Sequence, residues 1–254
     1  MLTKKENIED VKKIMGIEVE MLKILPKLSE KMDSFNPWVK QIPSIFQELD
    51  LKENQTILDI PCGKGGVSVS LAKKYNVKVI GYDIIKEYVE SANKLAKKND
   101  VNNLCTFKAG DIRDITKKKN ICNLLLWIAP PHIWKTSKNT IKSLRNCIKS
   151  NGLILIADAY LYKKNKKYED YETLESTNKG YTFYGDKIIK FIDYKDKLWK
   201  KDYDRTKKSV QETLNKTKKD KKLIEKYLES LDKDEKSDTK YLGLAIWIIQ
   251  INKK

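Results

Sequence analysis

Residues 57–66 read Ile-Leu-Asp-Ile-Pro-Cys-Gly-Lys-Gly-Gly. An apolar run stops on Asp59, passes through a turn holding Pro61, Gly63 and Gly65, and opens at Gly66 into an amphipathic segment. Glycine lets a backbone approach a ligand closely and take up positive φ. The free N–H groups and positive dipole end of the following helix suit an anionic group. Pro61 stands where the first glycine of such a turn is usual, and its ring fixes φ near −65° and removes a donor, so the close approach falls to Gly63 and Gly65. About twenty residues on, a second apolar run ends in Gly81-Tyr82-Asp83, where a carboxylate can accept from both hydroxyls of a ribose. A third ends in Ala109-Gly110-Asp111-Ile112, whose Asp can accept from an adenine amino group.

Outward from that stretch, short apolar runs at 56–60, 77–82, 104–108, 121–128 and 152–158 alternate with helical patterns at 66–75, 86–98 and 135–149. Strands separated by helix-length segments predict βαβ units and a parallel sheet covered on both faces. Beyond Asp158 the rhythm breaks. Residues 160–185 are rich in aromatics and charges, 187–194 and 241–252 read as sixth and seventh strands, and 207–233 keep Val210, Leu214, Ile224, Leu228 and Leu231 on one helical face. The lysine-rich run 216–222 reads as a solvated surface. Before the first strand, Ile8, Val11, Met15, Leu22 and Leu25 give residues 3–32 a helical period, which Pro26 kinks or breaks, and 37–49 form a second helical stretch. With no internal repeat and no Pro/Ser linker, the expected organisation is a helical cap at 1–36 and one domain at 37–254. Lid elements are expected at about 159–186 and 195–240.

The chain has 254 residues, 40% of them hydrophobic, enough for a core. Its longest apolar runs are too short to span a bilayer, which takes about 20 residues. Residues 1–10 alternate charges and lack the apolar centre of a secretory signal. The four cysteines show no CxxC pair, so reduced thiols and a cytosolic setting are expected. No His/Asp/Cys cluster suggests a metal. The net charge of +17 invites a nucleic-acid partner, but only Arg113, Arg145 and Arg205 are arginines. The bidentate fork that grips phosphates and base edges is therefore barely used, and the lysines are spread along the chain.

Asp59 with the turn 61–65, the acid Asp83 and Gly110-Asp111-Ile112 together resemble the class I S-adenosylmethionine-dependent methyltransferases, and within them the group acting on small metabolites. The turn Ser150-Asn151-Gly152-Leu153 into 154–158 is similar to that family's fifth strand and its lead-in, and 241–246 to its last, antiparallel strand. The resemblance covers roughly residues 40–254. It implies a Rossmann-like, seven-stranded, mostly parallel α/β sheet with helices on both faces. It implies S-adenosylmethionine as cofactor, with S-adenosylhomocysteine as product, and a small-molecule methyl acceptor. Asp83 would hold the ribose, Asp111 the adenine, and Gly63 and Gly65 the methionyl end, with Asp59 near its amino group; Cys62, Ile84 and Ile112 would also contact the cofactor. The N-terminal helices and the region after the fifth strand would build the acceptor pocket.

The fourth strand runs into Trp127-Ile128-Ala129-Pro130-Pro131-His132, which the strand order places beside the methyl group. Its Pro-Pro-His is similar to the Asp/Asn-Pro-Pro-aromatic motif of amino-methylating nucleic-acid enzymes, but Ala129 lacks the side-chain acceptor that motif needs. His132, the one histidine, is the candidate general base, because imidazole exchanges protons near neutral pH. Tyr160, Tyr162, Tyr168, Tyr171, Tyr181, Phe183 and Tyr184 crowd the segment after the fifth strand, suited to a cover or to an aromatic box for a cation, and Trp127, Tyr160 and Tyr184 are the candidate pocket residues. Two other readings stay open: a methyltransferase acting on RNA or protein through the basic surface, and an NAD(P)-dependent oxidoreductase. Pro61, Gly63 and Gly66 match the dinucleotide fingerprint with one error. Against that fingerprint, Asp59 would repel a pyrophosphate but not the cationic amino and sulfonium groups of S-adenosylmethionine.

Overall fold

A computed structural model describes residues 19–28, 32, 38–49, 53, 55–195, 197–216 and 220–253. The seven strands are β1 (Thr56–Asp59), β2 (Lys78–Asp83), β3 (Cys105–Ala109), β4 (Cys122–Ile128), β5 (Ile148–Leu161), β6 (Lys187–Lys195) and β7 (Leu242–Gln250), in one sheet of order β3-β2-β1-β4-β5-β7-β6. Strands β3 to β5 pair in parallel, and β7 runs antiparallel between β5 and β6. The order reverses direction at β1/β4, the switch point where a ligand crevice opens outside the strands' carboxyl ends.

The described helices are α1 (Val19–Leu28), α2 (Trp38–Ile45), α3 (Gly66–Tyr75), α4 (Lys86–Lys98), α5 (Ile112–Ile115), α6 (Ser137–Leu144), α7 (Leu174–Thr182), α8 (Trp199–Leu214) and α9 (Lys221–Tyr241). None is long and apolar enough to cross a membrane. Central strands are buried on both faces, which is why they read as unbroken apolar runs. Ile57, Leu124, Leu126 and Ile246 pack with α2, α3 and α4, while Leu58, Leu125, Trp127 and Trp247 pack with α6 and α7. The outer strand β6 leaves Ile189 and Phe191 exposed among Lys187, Lys190 and Lys195, and lysines on an edge discourage further strand pairing.

A third cluster caps the carboxyl end of β2. Met21, Leu25 and Leu28 of α1 meet Ile85 and Tyr88, together with Val210 of α8 and Ile224 and Leu231 of α9. Ser209 Oγ donates to the Leu28 carbonyl at 2.7 Å, and the buried Lys64 Nζ donates to the Met32 carbonyl at 2.8 Å. The cap is thereby tied to the glycine turn itself. The rest of the 1–36 expectation lies outside the described residues. Helix α1 accommodates Pro26 in its last turn.

Three elements differ from their sequence reading. The helix expected at 135–149 is only Ser137–Leu144, because Thr136 caps its start and Ile148 already belongs to β5. Strand β5 runs to Leu161, since β7 keeps pairing with it four residues beyond Ala157, where β4 stops. The apolar positions of 207–233 fall on two helices, α8 and α9, which pack against each other and α1.

Candidate active site

Asp59 ends β1 and is buried, its Oδ2 accepting from Ser68 Oγ at 2.6 Å. Asp83 ends β2, equally buried. Its Oδ2 accepts from the Gly63 amide at 2.8 Å and its Oδ1 from the Ile85 amide at 2.9 Å. Burial pushes the Asp59 carboxyl up to about 7, with the Asp83 charge adding to the rise, and pushes Asp83 up to about 6. Burial likewise raises the thiol of Cys62, which lies between them in sequence, so it is a packing group and not a thiolate.

The two turn glycines do different work. Gly65, at φ +78°, caps α3, and a Cβ there would stand 2.9 Å from Ala92 Cβ and 3.1 Å from Phe107 Cζ. Gly63, at φ +50°, would point a Cβ into open space. One is small for close packing, the other leaves its surroundings clear. Pro61 follows Ile60 through a cis peptide bond. The clear space over Gly63, beside two buried carboxylates, fits a ligand that brings both hydroxyls and positive charge. S-adenosylmethionine is such a ligand, and a pyrophosphate is not.

Asp111 follows β3 and caps α5, its Oδ1 accepting from the Arg113 amide at 2.8 Å. The Arg113 guanidinium binds both carboxylate oxygens, with Nη2 2.6 Å from Oδ2. Partial burial pushes Asp111 up, but the Arg113 hydrogen bonds outweigh it and hold the carboxyl below its usual range. Ile112 is buried beside it and Ile84 half-buried after Asp83. Arg113 carried no signal beyond its place two residues after Asp111.

Strand β4 leads into Ala129, which holds φ +44° and donates its amide to the Ala157 carbonyl at 2.8 Å. A left-handed alanine is strained, and such residues cluster at functional turns. A cavity with room for about 30 Å³ of solvent opens there, bounded by Trp127, Pro130, His132, Asp158, Glu172 and Tyr181, among others. Trp127 stacks on Trp134 with ring centroids 5.1 Å apart, and His132 lies 4.5 Å from the Tyr171 ring. His132 Nε2 is 3.9 Å from Asp158 Oδ2. Asp158 Oδ1 accepts from the Ala159 amide at 2.7 Å, and burial raises this carboxyl against the opposing pull of His132.

Of the expected pocket residues, Trp127 and His132 line one cavity. Tyr160 is buried, with its hydroxyl donating to Asp193 Oδ1 at 2.9 Å and its ring over Gly243. Tyr184 lies at the opposite rim of the sheet, near Asn120, Asn146 and Asn252, with the Arg145 guanidinium 5.3 Å from its ring. The chain turns back along α7 before reaching it, so sequence proximity to the lid did not carry it to the strands' carboxyl ends. Asp158 and Glu172 were missed. The signal for Asp158 was its place as the acid closing the run 153–157, as Asp59 and Asp83 close theirs. Among the described residues no group of three or more His, Cys, Asp and Glu is arranged to hold a metal.

A crystal structure of a S-adenosylmethionine-dependent methyltransferase from Geobacter sulfurreducens, in complex with S-adenosyl-L-homocysteine, superposes with TM-score 0.78 at 16% identity, covering 91% of this chain and 98% of that one. At that identity the likeness shows the fold. An uncharacterized RNA methyltransferase of Clostridium tetani is 42% identical over 66 residues, which are 26% of this chain and 14% of that protein. Phosphoethanolamine N-methyltransferase of Plasmodium falciparum is 29% identical over 130 residues, 50% of this chain and 47% of that one. The chain thus spans less than half the length of both curated relatives. The family model for the methyltransferase domain matches residues 51–229. That match takes in β1 to β6 and the glycine turn, and with the sheet order and its antiparallel β7 it places the chain in the class I S-adenosylmethionine-dependent methyltransferases, to whose methyltransferase-domain family it belongs.

Proposed function

We propose that the chain transfers a methyl group from S-adenosylmethionine to a small-molecule acceptor. When bound, the sulfonium supplies an activated methyl, so the protein's task is alignment, desolvation and proton removal. Asp83 accepts from the ribose hydroxyls while Gly63 and Ile85 hold its carboxylate in place. Asp111, oriented by Arg113, keeps lone pairs for the adenine amino group, with Ile84 and Ile112 against the ring. Gly63, Gly65 and Cys62 border the methionyl end, and Asp59 balances its ammonium. His132 takes the proton from the acceptor, with Trp127 forming the wall beside it and Tyr160 buttressing β5 against β7.

The observation that carries a small acceptor is the cavity after β4. It is narrow, and Asp158, Asp170 and Glu172 line it. Carboxylates there repel a phosphate backbone even though the whole chain carries +17. The RNA reading rests on the basic surface and on relatives such as the Clostridium RNA methyltransferase, whose matched stretches are a quarter to a third of this chain. The test is transfer of tritiated methyl from S-adenosylmethionine into two fractions of one cell extract, a low-mass filtrate and purified total RNA. Label in the filtrate is expected; label confined to RNA would overturn the reading.

A further inference from the structure

The hydrogen-bond polarity of the cavity after β4 specifies what the acceptor presents. His132 Nδ1 lies 3.3 Å from the Asp170 backbone oxygen, which can only accept, so Nδ1 carries the ring hydrogen. In this tautomer the lone pair of Nε2 turns toward Asp158 Oδ2, 3.9 Å away. Two acceptors face each other across a gap too wide for direct contact. A donor atom set to one side of the line joining them would bridge both at about 2.9 Å each, and that atom needs two hydrogens. An alcohol has one, a carboxylate none, and an amine or ammonium has enough.

The lining has two further features. Ser137 belongs to it, and its buried Oγ, packed against Gly180, has no hydrogen-bond partner among the described residues. Residue 180 is glycine where a Cβ would stand 1.7 Å from that oxygen, so the hydroxyl occupies space the sequence keeps open. Buried polar groups left unpaired are rare and costly. The lining also carries Asp158, Asp170 and Glu172 against the exposed Lys135 and the single imidazole. Glu172 already accepts from the Ser137 amide at 2.5 Å and from Ser176 Oγ at 3.0 Å, and Asp170 is exposed, which leaves the half-buried Asp158, 3.9 Å from His132 Nε2, as the carboxylate at the gap.

We infer that the acceptor is a small amine, seated with its nitrogen between His132 Nε2 and Asp158 Oδ2. This rests on the methyltransferase reading above and names its acceptor class. Asp158 holds the ammonium form and His132 Nε2 takes a proton from it, freeing the nitrogen lone pair. The N–C bond forms as the S–CH₃ bond breaks, and that electron pair stays on sulfur as S-adenosylhomocysteine. The methylated nitrogen leaves as an ammonium, and solvent recovers the proton from His132.

The test is calorimetric titration of the full chain, first with S-adenosylhomocysteine and then, saturated with it, with propylamine, propanol and propionate. Propylamine is expected to bind at least tenfold more tightly than propanol, with propionate weakest. The isosteric Asp158→Asn should weaken propylamine tenfold or more while changing S-adenosylhomocysteine affinity less than twofold, which also shows that the variant is folded. Propanol or propionate binding as well as propylamine, or Asp158→Asn leaving propylamine unaffected, overturns the amine assignment alone. Failure of the wild-type chain to bind S-adenosylhomocysteine overturns the underlying reading and this inference with it.

Discussion

The Gly63 amide donates to Asp83 Oδ2 at 2.8 Å, joining the glycine turn after β1 to the end of β2 across twenty residues. Asp83 is therefore both the expected ribose ligand and the staple that shapes the turn. Asp83→Ala removes charge-assisted bonds of about 1.5–3 kcal/mol each. It should weaken S-adenosylhomocysteine binding tenfold or more and also lower the melting temperature of the unliganded chain, because the Gly63 and Ile85 amides lose their acceptor. Calorimetry and thermal unfolding read the two effects separately. Unchanged affinity would remove Asp83 from the site.

The two turn glycines should separate stability from binding. Gly65→Ala meets Ala92 and Phe107 at φ +78°, combining left-handed strain with overpacking, for a loss of about 2–5 kcal/mol. Gly63→Ala has the strain without the clash, about 1–2 kcal/mol, but puts a methyl where the ligand's methionyl end would lie. The expected outcome is a larger melting-temperature drop for Gly65→Ala and, for the folded Gly63→Ala, a loss of cofactor affinity of tenfold or more. Full affinity in Gly63→Ala would mean that the open space is not the ligand's.

Asp59 makes the unliganded chain sensitive to pH. Its folded value, about 7, is raised above the ordinary 3.8. The stability that comes from its neutral form is complete below pH 4 and is lost as pH rises through 7. Asn mimics the neutral acid at every pH and can still accept from Ser68 Oγ. Asp59→Asn should match wild type in denaturant unfolding near pH 3.5 and gain on it steadily as pH rises, to an advantage on the order of 4 kcal/mol at pH 8. Parallel curves across that range contradict a buried carboxylate awaiting a cation.

At the other rim, Arg145 binds both oxygens of the buried Asp186, Nε at 3.1 Å and Nη2 at 3.0 Å, and also the Asn252 carbonyl. This locks the end of α6 to the start of β6 and the end of β7. Arg145→Met leaves Asp186 buried without its cation, a loss of about 3–5 kcal/mol, visible as a lower denaturation midpoint. S-adenosylhomocysteine affinity in the folded variant should be unchanged, since the pair lies at the strands' amino ends. A weaker cofactor complex would contradict that separation.

The sheet was legible because central parallel strands buried on both faces leave unbroken apolar runs such as 124–128, and because Gly66–Tyr75 and Lys86–Lys98 carry a clean helical period. Asp59 and Asp83 were legible because each acid closes an apolar run, so its strand delivers it to the same edge. Other features depend on contacts distant in sequence. Whether 207–233 forms one helix or two is decided by packing on α1, and nothing local assigns Tyr184 to the rim it occupies. The pairing of His132 with Asp158 across 26 residues, and the capture of Asp111 by Arg113, are tertiary geometry that residue spacing does not encode.

The central claim is that the crevice over Gly63, Asp59 and Asp83 holds S-adenosylmethionine. Thermal unfolding with S-adenosylmethionine, S-adenosylhomocysteine, NAD and NADP, each well above its expected dissociation constant, tests it most directly. A ligand that binds only the folded chain at a hundredfold excess stabilises it by about 2.7 kcal/mol. A rise of several degrees is expected with the two S-adenosyl compounds and none with the dinucleotides. A rise with NAD or NADP alone would contradict it.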